Sequence, residues 1–532
     1  MNLTGRTSHR SWWPLTPSIP TLRLSRQSSS MHVVWFKRDL RIHDHRPLLD
    51  AAAQGKVLCL YVYEPELLAT PELGALHLRF INESLAALRV RLRERGADLI
   101  LRVGRMPDVL EAIRRQYGIT ALYSHRETGN RVSYERDLRV AGWARQHGVP
   151  WHERNQFGVI RRLGTRDGWS ARWSKFMSRP ILDVPGALHA ESEIEPEGLR
   201  TAQDLGLSPP SQREVQPGGE QLGLDTLDSF LAERGAGYRY EMSSPLHASE
   251  SCSRLSPYLA WGNVSMRTVF QRARARSAEV KELRKQKVDL DPRWLQSLSS
   301  FQSRLRWHCH FIQKLEDEPE LEFRALNRHL DGLRDGELRD DYFQAWANGH
   351  TGYPMVDACM RALHQTGWIN FRMRAMLMSF ASYQLWLPWR PTALHLGSQF
   401  LDFEPGIHFS QAQMQSGVTG INAVRIYSPV KQVKDHDPEG QFIKRFVPEL
   451  DAVPPEHIAE PHRMPSALQK KLGCIIGKDY PAPIVEHGPA YATARRRISA
   501  ARRRPEVQEE SERVYEKHGS RKRPARRASG SA

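Results

Sequence analysis

From residue 31 onward, short apolar runs alternate with stretches in which apolar residues recur every three or four positions. HVVWFK (32–37), KVLCLYVY (56–63), DLILRV (98–103), TALYSHR (120–126) and VPWHE (149–153) are brief, apolar on both faces and rich in Val, Leu and Tyr, as strands covered on both sides should be. Between them HLRFINESLAALRVRLRERG (77–96), PDVLEAIRRQYG (107–118) and YERDLRVAGWARQHG (134–148) have helical spacing, with Gly96, Gly118 and Gly148 at the closing position of each helix. The alternation predicts an α/β N-terminal domain over 31–165, built on a parallel doubly wound sheet. No G-x-G-x-x-G follows the first strand, so the dinucleotide fingerprint is absent there.

The pattern then changes twice. Residues 166–221 are expected to be an interdomain connector, because 180–221 are rich in Pro, Gly and Glu and weakly periodic. From 222 to 490 helical periodicity dominates, most clearly in LRWHCHFIQKL (305–315), DYFQAWANG (341–349), PMVDACMRALHQTG (354–367) and FRMRAMLMSFASYQLW (371–386). This predicts an all-helical C-terminal domain. A chain of 532 residues exceeds what one core supports, which agrees with two domains.

Charge changes the picture at the ends. Of the formal +17, about +4 lies in residues 1–30, which hold no acid, and about +8 in 491–532, with 13 basic and 5 acidic residues. Residues 1–30 read as an unstructured extension. Their Ser-, Arg- and Pro-rich composition resembles a transit peptide, while Met31, directly before the first strand, points to an upstream start codon. Residues 491–532 read as a basic flexible tail, able to bind phosphates without specificity or simply solvated. Five scattered cysteines without a C-x-x-C pair suggest neither zinc nor disulfides, and no metal site is expected. No apolar run of about 18 residues occurs, so no membrane partner is expected. The expected setting is the cytoplasm, on the nucleoid if the source is bacterial, and the expected state is a monomer.

Candidate chemistry sits in a charge-dense run, WFKRDLRIHDHRPL (35–48), and in GHTGYPMVDACMRALHQTGWINFRMRAM (349–376), LPWR (387–390), FLDFEPGIHFSQ (400–411) and RIYSPVKQVKDHDPEGQFIKRFVPEL (425–450). Alone, the first is a salt-bridged loop and the others are core helices. In this order they resemble the DNA photolyase/cryptochrome family over roughly residues 31–480, in its bacterial photolyase-like form without the four iron–sulfur cysteines. The resemblance implies an FAD-binding helical domain. SCSRLSPYLAWG (251–262) looks like its phosphate-binding segment, with Ser253, Leu255 and Ser256 matching, Cys252 where Thr is common, and Tyr240 upstream; Ser253 or Ser256 could equally be a helix cap. Arg374 matches the arginine paired with an aspartate by the flavin, here Asp402. Glu404 stands where a second aspartate is usual, Trp368 flanks the cavity, and His408 falls where bacterial photolyases place an Asn beside the flavin's central nitrogen. Phe371 and Arg304 replace the residues that usually contact the lesion.

By this resemblance the partner is UV-damaged DNA. Arg372, Arg390, Arg425, Lys431 and Lys434 are candidate phosphate contacts, and Arg304, Trp307 and Trp368 candidate lesion contacts, Trp307 being otherwise core. The implied activity is light-driven splitting of pyrimidine dimers by a deoxyribodipyrimidine photolyase, through electron transfer from reduced FAD. A second antenna chromophore of folate, deazaflavin or lumazine type is possible. The rival reading is a cryptochrome-like photoreceptor that signals through a partner. For flavin photoreduction, Trp346 and Trp389 match the outer members of the family's electron relay. The inner position falls at Ala412, which cannot carry a hole. Trp386 is the expected substitute, on one helical face with Trp389 and extended by Tyr383, unless both only pack the core.

Overall fold

The computed structural model describes residues 31–190, 194–208 and 213–519. The expectation for residues 1–30 therefore lies outside the described residues. Five parallel strands, β1 (Met31–Phe36), β2 (Lys56–Tyr63), β3 (Leu99–Val103), β4 (Ala121–His125) and β5 (Trp151–Arg154), form one sheet in the order β3-β2-β1-β4-β5. Residues of β1 alternate strictly: Val34 and Phe36 enter the core on one face, Met31, Val33 and Trp35 that on the other. Strand order reverses between β1 and β4, and the carboxyl ends of β1, β2 and β4 border the crevice where open α/β sheets bind ligands.

Here that crevice is filled by charge. Lys37 meets Asp137 at 3.3 Å, and Arg136 meets Glu64 at 2.8 Å, Glu127 at 2.6 Å and Asp137 at 2.9 Å, with every one of these side chains a tenth exposed or less. Lys37 and Arg136 also lie over the Trp35 ring. The space left is about 50 Å³. Next to it, Asp39 is bonded to His45 (3.0 Å) and His125 (2.7 Å). Three ligand-type residues thus converge, but His45 Nδ1 accepts from Leu48 N–H and Asp39 Oδ1 accepts from Lys37 N–H. The cluster reads as a hydrogen-bonded brace for the strand-end loop.

The charge-dense run after β1 is not a local salt-bridged loop; it is where the sheet meets the helices. Arg38 donates to the carbonyls of Ala260 (2.8 Å) and Phe403 (2.5 Å), Arg41 donates to that of Gly262 (2.8 Å), and the Ile42 and His43 amides donate to Glu220. Gly262 has φ of 70°, and a Cβ there would overlap the Arg38 carbonyl and Asp39 Cα, so only glycine permits the approach. One continuous core runs from Val34 and Phe36 through Leu227 and Phe230 to Trp294, Phe301 and Leu305.

Three expectations are corrected. The connector opens with a helix, Trp169–Met177, whose Trp169, Trp173 and Met177 are buried in that shared core. Of the expected tail, 491–519 are helical and packed, helices His487–Arg503 and Pro505–His518 burying Ala494, Ile498, Ala501, Val507, Val514 and His518, while 520–532 lie outside the described residues. Summed charge hid apolar residues spaced three and four apart. The expected helix 371–386 is helical only over Phe371–Ser379. A π-type turn, Phe380–Gln384, follows, Trp386 takes a left-handed φ of 53°, and a new helix starts at Trp389. Trp386 and Trp389 therefore do not share a helical face. No described helix is long and apolar enough to cross a membrane.

Candidate functional site: an arginine-rich cradle beside a cationic surface cavity

The site begins at a turn. Helix Pro354–Thr366 ends at Gly367, with φ of 67°, whose carbonyl accepts from Leu401 N–H at 3.0 Å. A Cβ at 367 would press on Leu401 and Val215 at 3.3 Å, so glycine lets the 400–404 loop lie against the start of the next helix. The fourth residue of helix Phe371–Ser379, Arg374, donates from both terminal nitrogens to the two Asp402 oxygens, each at 2.9 Å, and from Nε to the Ile369 carbonyl. Burial alone would raise the Asp402 carboxyl, but the Arg374 charge and hydrogen bonds from Arg374 and Ser256 hold it below its ordinary value.

Two more guanidiniums converge here. Arg254, at a left-handed φ of 60°, lies 3.9 Å over the Trp368 ring, and burial draws its pKa down to about 10. Arg234 braces the segment by donating to the carbonyls of Glu250 (2.7 Å) and Cys252 (2.6 Å). Arg254, Arg234 and Arg374 all act on the Cys252 thiol. Arg254 and Arg374 share one carboxylate, Asp402, and Arg234, with Glu250 near it, stands beside Arg254, so positive charge is in excess in a mostly buried place. Such an excess calls for an anion. Buried Asn370 Oδ1, one turn before Arg374, has no partner among the described residues. A doubly charged diphosphate with a hydrogen-bonding organic group attached meets both demands.

Two family models match the chain: the FAD binding domain of DNA photolyase over residues 301–500, and DNA photolyase over residues 32–161. A deoxyribodipyrimidine photo-lyase of Agrobacterium fabrum is 30% identical over 483 residues, 86% of this chain and 95% of that protein. The chain belongs to the DNA photolyase/cryptochrome family. A cryptochrome DASH of Gloeobacter violaceus is 29% identical over 485 residues, covering 86% of this chain and 94% of its own length. The crystal structure of a bacterial class III photolyase from Agrobacterium tumefaciens superposes with a TM-score of 0.77 at 28% identity, covering 90% of this chain and 98% of that one. Photolyase and cryptochrome relatives thus stand side by side, and the helical half of this chain is an FAD-binding domain.

Within this photolyase/cryptochrome scaffold the structure brings together Ser253, Leu255, Ser256, Trp368, Arg374 and Asp402 around the cradle. Leu255 is buried and its N–H points to Ser253 Oγ at 3.4 Å. Tyr240 is not among them: it is 52% exposed and donates to Gln296. Tyr238, two residues earlier, is the buried tyrosine, beside Cys252 and hydrogen-bonded with Arg304. Glu404 sits at the domain interface, 3.7 Å from Arg38, and burial pushes its carboxyl up to about 7. His408 donates from Nε2 to the Ala393 carbonyl at 2.7 Å, since a carbonyl only accepts, and burial pulls the ring down to about 4.

The expected DNA contacts divide. Arg372, Arg425 and Lys431 line one surface cavity of about 530 Å³ with Tyr427, His487 and Tyr491. Arg390 instead donates to the Glu322 carbonyl and lies over Phe323. Trp307 is not core: it is 41% exposed, packed against His310 and Phe311. Phe371 is 52% exposed beside Arg372. Of the relay candidates, Trp346 is fully buried against Phe343 and His395, and Trp389 and Ala412 share its core. Trp386 and Tyr383 belong to a separate small cluster closed by Ala494 and Ile498. Arg234, Arg254 and Tyr238 were missed by sequence reading, since their convergence depends on folding and on the left-handed backbone at 254.

Proposed function

We propose that this chain is a light-driven lyase that splits UV-induced pyrimidine dimers in DNA, with FAD as its cofactor. One observation carries the reading: the first turn of helix Phe371–Ser379 joins two sites, Arg374 facing the buried cradle and Arg372 lining the cationic surface cavity. When bound and reduced, FAD supplies the light-absorbing one-electron donor. Arg254 and Arg374, with Ser253, Ser256 and Asn370, would hold it, and the Arg374–Asp402 pair fixes the guanidinium in place. His408 offers an acceptor at Nδ1, since Nε2 is committed to Ala393. Arg372, Arg425 and Lys431 would grip phosphates around a flipped dinucleotide. Trp307, exposed on helix Trp294–Asp317, offers a face for a base, worth roughly 1–3 kcal/mol per base stacked. Arg304, also exposed, would donate to lesion carbonyls.

A second chromophore needs a cavity of several hundred Å³. The strand-end crevice lacks that room, whereas a cleft of about 490 Å³ between β5, the Trp294–Asp317 helix and the last helix has it. The enzyme would act as a monomer in the cytoplasm. The test is to reduce the protein, illuminate it with a dimer-containing oligonucleotide and follow recovery of thymine absorbance. Recovery is expected. Intact cyclobutane dimers and (6-4) products would replace this reading with the photoreceptor one, which the cryptochrome DASH relatives keep in view.

A further inference from the structure

The segment 487–504 carries six arginines after its cavity-lining turn, and the structure sorts them into two kinds. Arg497 binds Glu337 through both terminal nitrogens, Arg502 donates to the carbonyls of Asn422 (2.8 Å) and Gly420 (2.6 Å), and Arg504 donates to that of His329. These three tie the helix to the domain. Arg495, Arg496 and Arg503 are exposed and make no side-chain hydrogen bond or ion pair among the described residues. Their placement is ordered. His487, Gly488 and Tyr491 wall the cavity that holds Arg372, Arg425 and Lys431. Arg495 lies one turn beyond Tyr491 on the same side, and Arg496 and Arg503, seven residues apart, share the adjoining outward stripe. At 1.5 Å per residue Arg503 lies about 18 Å beyond Tyr491 along the helix axis. Measured along the duplex axis, where one strand places a phosphate every 3.4 Å, that length spans about five of them.

We infer that this helix is a phosphate track that extends the DNA-binding surface away from the cavity and grips undamaged backbone flanking the lesion. The inference rests on the DNA reading above. It assigns the helix's arginines two jobs, anchoring and backbone contact, and no base readout, since guanidiniums on a stripe facing phosphates carry no sequence information.

The test uses the full-length flavoprotein. Arg495→Gln, Arg496→Gln and Arg503→Gln are combined, a second triple variant carries Lys at the same positions, and binding to damaged and undamaged duplexes is measured across a salt series. Each phosphate contact adds about 0.9 to the slope of log affinity against log salt, so the Gln variant should be shallower by two to three. Its affinity at low salt should fall by the same factor, tenfold or more, for both duplexes. The Lys variant should keep the wild-type slope, and melting temperature and flavin content should be unchanged in both. An unchanged slope in the Gln variant overturns the track while leaving the lyase reading intact. A wild type that binds no duplex at any salt overturns both.

Discussion

At the cradle Asp402 faces Arg254 and Arg374, and it receives two bonds from Arg374 while nearly buried. Removing it leaves Arg374 charged and unpaired in a place water reaches poorly. Asp402→Ala is therefore expected to cost on the order of 3–5 kcal/mol, measured by urea unfolding, and to yield protein with substoichiometric flavin after heat release. Glu404 behaves oppositely. Its folded pKa, about 7, lies above the unfolded value of 4.5, so the folded state holds the extra proton and stability falls as pH rises from 4.5 through 7. Glu404→Gln should match the wild type at pH 5 and exceed it at pH 8 in the same unfolding assay. Phe371, half exposed beside Arg372, gives a third outcome. Phe371→Ala should weaken binding to dimer-containing DNA about tenfold, as loss of a roughly 1–3 kcal/mol stacking contact implies, with undamaged DNA little affected; equal losses on both would assign the ring to general packing.

Among elements, the π-type turn decides what Trp386 can do. It ends the Phe371–Ser379 helix early and delivers Trp386 between two cations, Arg334 at 4.4 Å and Arg497 at 4.1 Å from the ring centre, with Glu337 accepting its indole N–H at 3.2 Å. A unit charge about 4 Å away is worth about 4 kcal/mol near a protein surface, so two cations against one carboxylate oppose a hole on this ring. If electrons reach the flavin through Trp386, Arg497→Gln speeds photoreduction with external thiol and Trp386→Phe slows it. Unchanged rates in both variants place the route elsewhere. The same stretch shows what was legible beforehand. The five strands of 31–154 and the α/β-then-helical order follow from periodicity, because apolar spacing reports directly on which face is covered. The bidentate Arg374–Asp402 pair followed from motif order. Arg254's role and the break at 380–386 did not, since a left-handed Arg and a left-handed Trp are imposed by packing against Trp368 and the C-terminal helix, and no local residue preference announces them. Tyr240's exposure did not follow either, because spacing from the Ser253–Ser256 segment cannot show which way a residue of the short helix Tyr238–Glu241 faces.

At the scale of the whole molecule, the folded state hides neutral histidines. Burial drives His77 to about 4, His125 to about 3 and His518 to about 2, all three at most 3% exposed, far below the ordinary 6.5. Below pH 6.5 the unfolded chain takes up protons that the folded chain refuses, so stability is full above that pH and declines as pH falls toward the folded values. Each such histidine contributes about 1.4 kcal/mol per pH unit. Between pH 6.5 and 5.5 these three should lower the unfolding free energy by about 3 kcal/mol, to which His308, His310, His364, His395 and His408, all drawn down by burial, add in the same direction, and His518→Gln should remove about 1 kcal/mol of the drop; a flat profile would show these rings charged in the fold. The His487–Arg503 helix has a different consequence, for how the protein is made. It covers Tyr383 and Trp386 and walls the surface cavity, yet the ribosome adds it after everything it covers. At 5–20 residues per second, roughly 20–70 s separate completion of β5 from synthesis of that helix. Through that interval the nascent chain carries a finished sheet and a helical core still missing one of its walls, the kind of exposed apolar surface that chaperones exist to shield.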